Sequence, residues 1–134
     1  MIVLRHVAIR SQDISRTRRF YEEGLGLTFL GYQSDGVAMD LSDGTCNLRL
    51  LPYEGAPRAP REEGTEFTHL GFLVDDAGRA YQRLKAIGAE FVRDDIHERR
   101  QHDPSAPPPR SFKVLDPDGN VVDVSDYSAE WRTN

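Results

Sequence analysis

An internal repeat constrains this chain more than any other feature. Residues 4–11 read Leu-Arg-His-Val-Ala-Ile-Arg-Ser and residues 67–74 read Phe-Thr-His-Leu-Gly-Phe-Leu-Val. Each is a β-rich run with a histidine third, and His69 follows His6 by 63 positions (69 − 6). Acids follow both runs, Asp13 in one and Asp75-Asp76 in the other, where a carboxylate can accept the free N–H groups of a helix's first turn. Ala77, Ala80, Tyr81, Leu84 and Ile87 then keep the spacing of a helix with one apolar stripe. Ile14, Thr17 and Tyr21, with Phe20 beside them, supply the counterpart. Gly24 and Gly88 close the two helices at an offset of 64 (88 − 24), and Gly88 falls where a left-handed cap is wanted.

Three strands are predicted after each helix. In the first half they cover 28–32, 37–41 and 46–51, separated by Ser34-Asp35-Gly36 and Ser42-Asp43-Gly44. In the second they cover 89–92, 111–115 and 120–125, with Asp116-Pro117-Asp118-Gly119 as the last turn. Gly44 and Gly119 are 75 apart (119 − 44), 11 more than the helix offset (75 − 64). The added residues fall in an arm over 93–110 that holds Pro107, Pro108 and Pro109, a composition suited to extended chain. The expected fold class is therefore α+β: two βαβββ modules with pseudo-twofold symmetry, forming a half-barrel cavity. One domain spans 1–134, with module one at 1–53, a linker at 54–65, module two at 66–127 and the inserted arm at 93–110.

Bulk properties narrow the function classes. A chain of 134 residues suits one core. A net charge of −5 argues against nucleic-acid binding, which needs a basic surface. No apolar run approaches the roughly 20 residues of a membrane helix. The N-terminus has no signal-peptide pattern, and one cysteine, Cys46, cannot form an intrachain disulfide. Both point to the cytoplasm.

Strand parity selects the candidate site residues, because alternate residues share a face and the helix-covered face must be apolar. Val7 and Ile9 suit the helix side, which sends His6 and Ala8 to the cavity. Leu70, Phe72 and Val74 do the same for His69 and Gly71. Val122 and Val124 turn Val121, Asp123 and Ser125 inward, and Leu48 and Leu50 turn Asn47, Arg49 and Leu51 inward. Arg49 is then the pseudo-symmetric counterpart of Asp123. Two imidazoles and one carboxylate suit divalent Fe, Mn, Zn, Ni or Co and leave open positions for substrate. Tyr53 and Tyr127 follow the last strand of each half, where they can stack on a ligand at the cavity mouth. Asn47 can hold ligand or water. His97 and His102, in the arm, read as solvated loop residues, and Asp116, Asp118 and Gly119 as turn formers.

Four segments, His6-Val-Ala-Ile9, Phe20-Tyr-Glu-Glu-Gly-Leu-Gly-Leu27, His69-Leu-Gly-Phe-Leu-Val-Asp-Asp76 and Asp116-Pro-Asp-Gly-Asn-Val-Val-Asp123, resemble the vicinal-oxygen-chelate superfamily of glyoxalases, bleomycin-resistance proteins and ring-cleaving dioxygenases. The resemblance implies metal ligands at His6, His69 and Asp123, with Asp where the family usually has Glu, and a homodimer. It puts Arg49 where the family commonly has a fourth ligand, and a guanidinium cannot ligate a cation. It implies a metal-dependent enzyme on a small oxygen-rich molecule. Arg49 cannot serve as the base of isomerase or epimerase chemistry, and Ala8 replaces the threonine of the fosfomycin-transferase branch. A two-histidine, one-carboxylate site for dioxygen chemistry meets neither objection. Two readings stay open: a metal enzyme in which Arg49 binds an anionic substrate group, and a metal-free binding protein in which Arg49 pairs with Asp123.

Overall fold

The protein is described by a computed structural model, which describes residues 4–60, 69–92, 96–98 and 110–127. Module one runs β1 (His6–Ser11), α1 (Ile14–Arg19) continued by a π-helical turn (Phe20–Gly24), β2 (Thr28–Tyr32), β3 (Met39–Ser42) and β4 (Asn47–Pro52). Module two runs β5 (Leu70–Leu73), α2 (Ala77–Ala86), β6 (Glu90–Phe91), β7 (His97–Glu98), β8 (Arg110–Leu115) and β9 (Val121–Ser125). The first sheet has the order β1-β4-β3-β2; the second has β5-β9-β8-β6, with β7 added beside β8. In each module the first strand lies parallel to the last and the hairpin strands lie antiparallel. The βαβββ unit thus occurs twice, as the repeat predicts. Among the described residues no helix is long and apolar enough to cross a membrane.

Both helices begin at the expected acids. Asp13 accepts from the Arg16 N–H at 3.0 Å and Asp76 from the Arg79 N–H at 2.9 Å. Their ends differ. Gly88 adopts the left-handed conformation after α2, at φ 76°. After module one's helix that role falls to Gly26, at φ 83°, and not to Gly24. Gly24 is needed for a different reason: a Cβ there would stand 2.5 Å from the Leu84 side chain, so the missing side chain lets the helices approach. Strand β7 lies within the arm expected to be loop or extended chain. Residues 93–95 and 99–109 of that arm, His102 among them, and residues 61–65 of the linker lie outside the described residues.

The apolar faces of both sheets and both helices merge in one core. Ile9, Leu41, Leu48 and Leu50 from module one share it with Leu84, Phe112, Val122 and Val124 from module two. The polar faces of the two sheets therefore lie on the sides away from this shared core. A polar clamp locks the modules at its edge. Buried Asp116 accepts from the Tyr21 hydroxyl at 2.7 Å, from Asn120 Nδ2 at 2.8 Å, and from the Asp118 and Asn120 N–H groups at 2.9 Å each. Asp118 accepts from the Thr17 hydroxyl at 2.7 Å and from the Gln12 N–H at 2.9 Å. The motif read as a turn former is also the joint between modules.

Burial raises Asp116 above the ordinary carboxylate range despite its donors, and raises Tyr21 further from ionisation, so the tyrosine stays a donor. Tyr21→Phe leaves a buried acceptor one donor short, and a loss of about 1–3 kcal/mol is expected from the denaturation midpoint. The Asp116 contribution has a defined sign. With its folded value raised, its stabilisation is full below the unfolded value of about 3.9 and lost as pH rises through the raised value. Relative to Asp116→Asn, the native chain is expected to lose stability as pH rises from about 4.

Candidate functional site

The polar face of the first sheet is organised around one ion pair. Registration places Ala8, Arg49, Asp40 and Gly31 in a row across β1, β4, β3 and β2. Arg49 donates Nε to Asp40 Oδ1 at 2.8 Å and Nη2 to Asp40 Oδ2 at 3.0 Å, a planar two-point contact. Gln33 Nε2 donates to the same Oδ2 at 2.7 Å. The hydrogen bond from Arg49 is the main cause that holds Asp40 below the usual carboxylate range, and it raises Arg49 in turn. His6 stands exposed on this face, two residues before Ala8 on β1. Arg49 is thus paired with Asp40, not with Asp123. Asp40 is absent from the sequence-predicted site, which draws on β1, β4, β5 and β9. Its place between core-facing Met39 and Leu41 is the signal that would have found it.

The second sheet carries the corresponding row with its charges reversed: Gly71, Asp123 and Lys113 across β5, β9 and β8. His69, just before β5, comes beside Asp123, with Nε2 3.9 Å from Oδ2. Asp123 is buried, 7% exposed, and so are Val121 and Ser125 on the same face. A small residue on the first strand, Ala8 or Gly71, leaves space above the charged residue of the last strand in both modules. Imidazole and carboxylate are donors that suit a divalent ion. Two ligands about 2.1 Å from one tetrahedral or octahedral ion stand roughly 3.0–3.4 Å apart, so this pair, 3.9 Å apart, would have to close by about half an ångström to share one.

The other expected residues lie as follows. His6 does not join His69 and Asp123 within the chain: among the described residues no three His, Cys, Asp or Glu side chains form a group able to hold an ion. The placement follows from the shared core, which separates the two polar faces. Asn47 is half-buried and registers with His6 on one side and Ser42 on the other. Tyr53 extends the β1–β4 ladder, its N–H donating to the Ser11 carbonyl at 2.8 Å, at the end of β1 remote from His6. Its ring lies under Arg58 at 5.4 Å. Tyr127 is half-buried beyond β9, its N–H on the Ser125 hydroxyl at 3.1 Å.

Comparison with known proteins gives this geometry its lineage. The sequence profile of the Glyoxalase/Bleomycin resistance protein/Dioxygenase superfamily matches residues 3–124. The chain belongs to this superfamily. Glutathione transferase FosA of Serratia marcescens is 26% identical over 90% of this chain and 78% of its own length. Virulence protein STM3117 of Salmonella typhimurium is 24% identical over 91% of this chain and 82% of its own length. A glyoxalase/dioxygenase from Nostoc punctiforme, 21% identical, superposes with a TM-score of 0.71 over 91% of this chain and 88% of its own, which supports the fold. Superfamily membership spans several reaction types, so the site must carry the functional argument.

The Asp40–Arg49 pair yields a pH signature. Because the folded Asp40 value is depressed, its stabilisation is present above about 3.9 and lost as pH falls through the lowered value. Asp40→Asn is expected to be less stable than the native chain at pH 7, with the gap closing in acid. Denaturation curves across that range measure it.

Proposed function

We propose that this superfamily member is a divalent-metal-dependent enzyme acting on a small oxygen-rich molecule, with dioxygenase-like chemistry the favoured class. The observation that carries this is the approach of His69 to Asp123 on the polar face of the second sheet. In this reading His69 and Asp123 supply two ligands and His6 the third. His6 comes from a second copy of the chain, since the shared core keeps the first chain's own His6 away. A homodimer then carries two equivalent cavities, each built from the first sheet of one copy and the second sheet of the other. The bound ion, Fe, Mn, Zn, Ni or Co, would supply Lewis acidity to neighbouring oxygens of the substrate. Arg49 and Asn47, on the face that carries His6, would contact the substrate, and Tyr53 and Tyr127 would border the cavity. Burial of Asp123 keeps bulk water from the carboxylate, and the small Gly71 and Ala8 leave room for the ligand.

The metal-free binding reading has its foundation in Arg49 neutralising Asp123. Arg49 is engaged by Asp40 instead, which removes that foundation. Calorimetric titration with Mn²⁺ or Ni²⁺ tests the metal reading: one ion per chain is expected, with binding weakened at least 100-fold by His69→Ala and by Asp123→Asn. Absence of divalent binding to the native dimer would return the cavity to the binding-protein reading.

A further inference from the structure

The Arg49 face raises a question of charge. Asp40 is the one acid among the described strand positions of that face, and its carboxylate is satisfied from three directions by Nε and Nη2 of Arg49 and by Gln33. Gln33 helps to fix the orientation of the Asp40 carboxylate. One edge of the guanidinium is occupied by this contact. Among the described residues no acceptor engages Nη1, and the Arg49 side chain is one-third exposed. Arg10, further along the same face, is turned to the Pro52 carbonyl at 3.1 Å.

A guanidinium bound two-point to a carboxylate presents a dipole, not a net positive charge, and a dipole's field falls off faster with distance than a charge's. An anionic group at the free edge would meet the Asp40 charge one guanidinium width behind it. A carbonyl or hydroxyl oxygen takes the same donors without that repulsion. We propose that Asp40 is the specificity-determining residue of this face: by holding Arg49 in a neutral, oriented pair, it directs the free guanidinium edge to an uncharged oxygen acceptor of the substrate and disfavours anionic groups. The expectation that Arg49 receives an anion changes accordingly. The inference rests on the reading that this face lines the cavity.

Inorganic phosphate is the probe. It is titrated at low ionic strength into the purified native protein, Asp40→Asn and the double variant Asp40→Asn/Arg49→Gln, before and after dialysis against a chelator. Asp40→Asn keeps an oxygen acceptor for Nε and removes the charge. It is expected to bind phosphate at least tenfold more tightly than the native chain. The gain should vanish in the double variant and survive chelation. Unchanged or weaker binding by a cooperatively melting Asp40→Asn would overturn the proposal, as would a gain that persists without Arg49. If Asp40→Asn fails to fold, Asp40→Ser carries the same comparison. Divalent-metal titration of the same samples reports on His69 and Asp123 separately, so failure of the metal reading and failure of this one are told apart.

Discussion

The grip of the Asp116-Pro-Asp-Gly-Asn120 turn on the first helix is the contact on which the arrangement of this protein depends. Asp116 holds Tyr21 and Asp118 holds Thr17 and the Gln12 N–H, while the Ser11 hydroxyl donates to Thr17 at 2.9 Å and extends the network to the end of β1. The clamp fixes module two against module one at the point where β1 passes into α1. The helices then meet across Gly24 and Leu84, and both sheets turn their apolar faces to one core. Buried carboxylates so placed are costly unless every oxygen is satisfied, and Asp116 meets that condition with four donors. The outcome is geometric: the polar faces, with their histidines, are directed away from the shared core.

The two polar faces are related by inversion of charge. Ala8, Arg49 and Asp40 in one module occupy the places of Gly71, Asp123 and Lys113 in the other. Duplicated modules that kept identical rows would place like charges together on apposition. In the proposed dimer, reversal of the pair would make an acidic ligand position on one side compatible with a cationic position on the other. The proposed function would divide the work: module two brings together the His69–Asp123 pair that would hold an ion, and module one holds the Arg49–Asp40 fork that would meet substrate.

Much of this was legible in the sequence because it is local or periodic. The offset between His6 and His69 gave the two βαβββ modules, and β2 spans the predicted residues 28–32. Alternation along β4 and β9 separated Leu48, Leu50, Val122 and Val124 from Arg49 and Asp123, and the core confirms those apolar sides. What escaped was carried through space. Nothing near Tyr21 in sequence points to Asp116, 95 positions away. Gly24 ends the first helix as its offset from Gly88 predicts, but its close approach to Leu84 is not visible in the sequence. The partner of Arg49 is on the neighbouring strand, and only the register of β3 against β4 identifies it as Asp40.

The central claim, that an ion is held by His69 and Asp123 of one copy and His6 of another, is tested most directly by subunit complementation. His6→Ala and Asp123→Asn chains are each purified, then co-refolded into mixed dimers and titrated with Mn²⁺. A shared site predicts that neither variant binds alone and that each mixed dimer binds one ion, because one of its two sites receives intact residues from both chains. Mixed dimers that form and bind no ion, or a His6→Ala protein that binds as tightly as the native one, would contradict it.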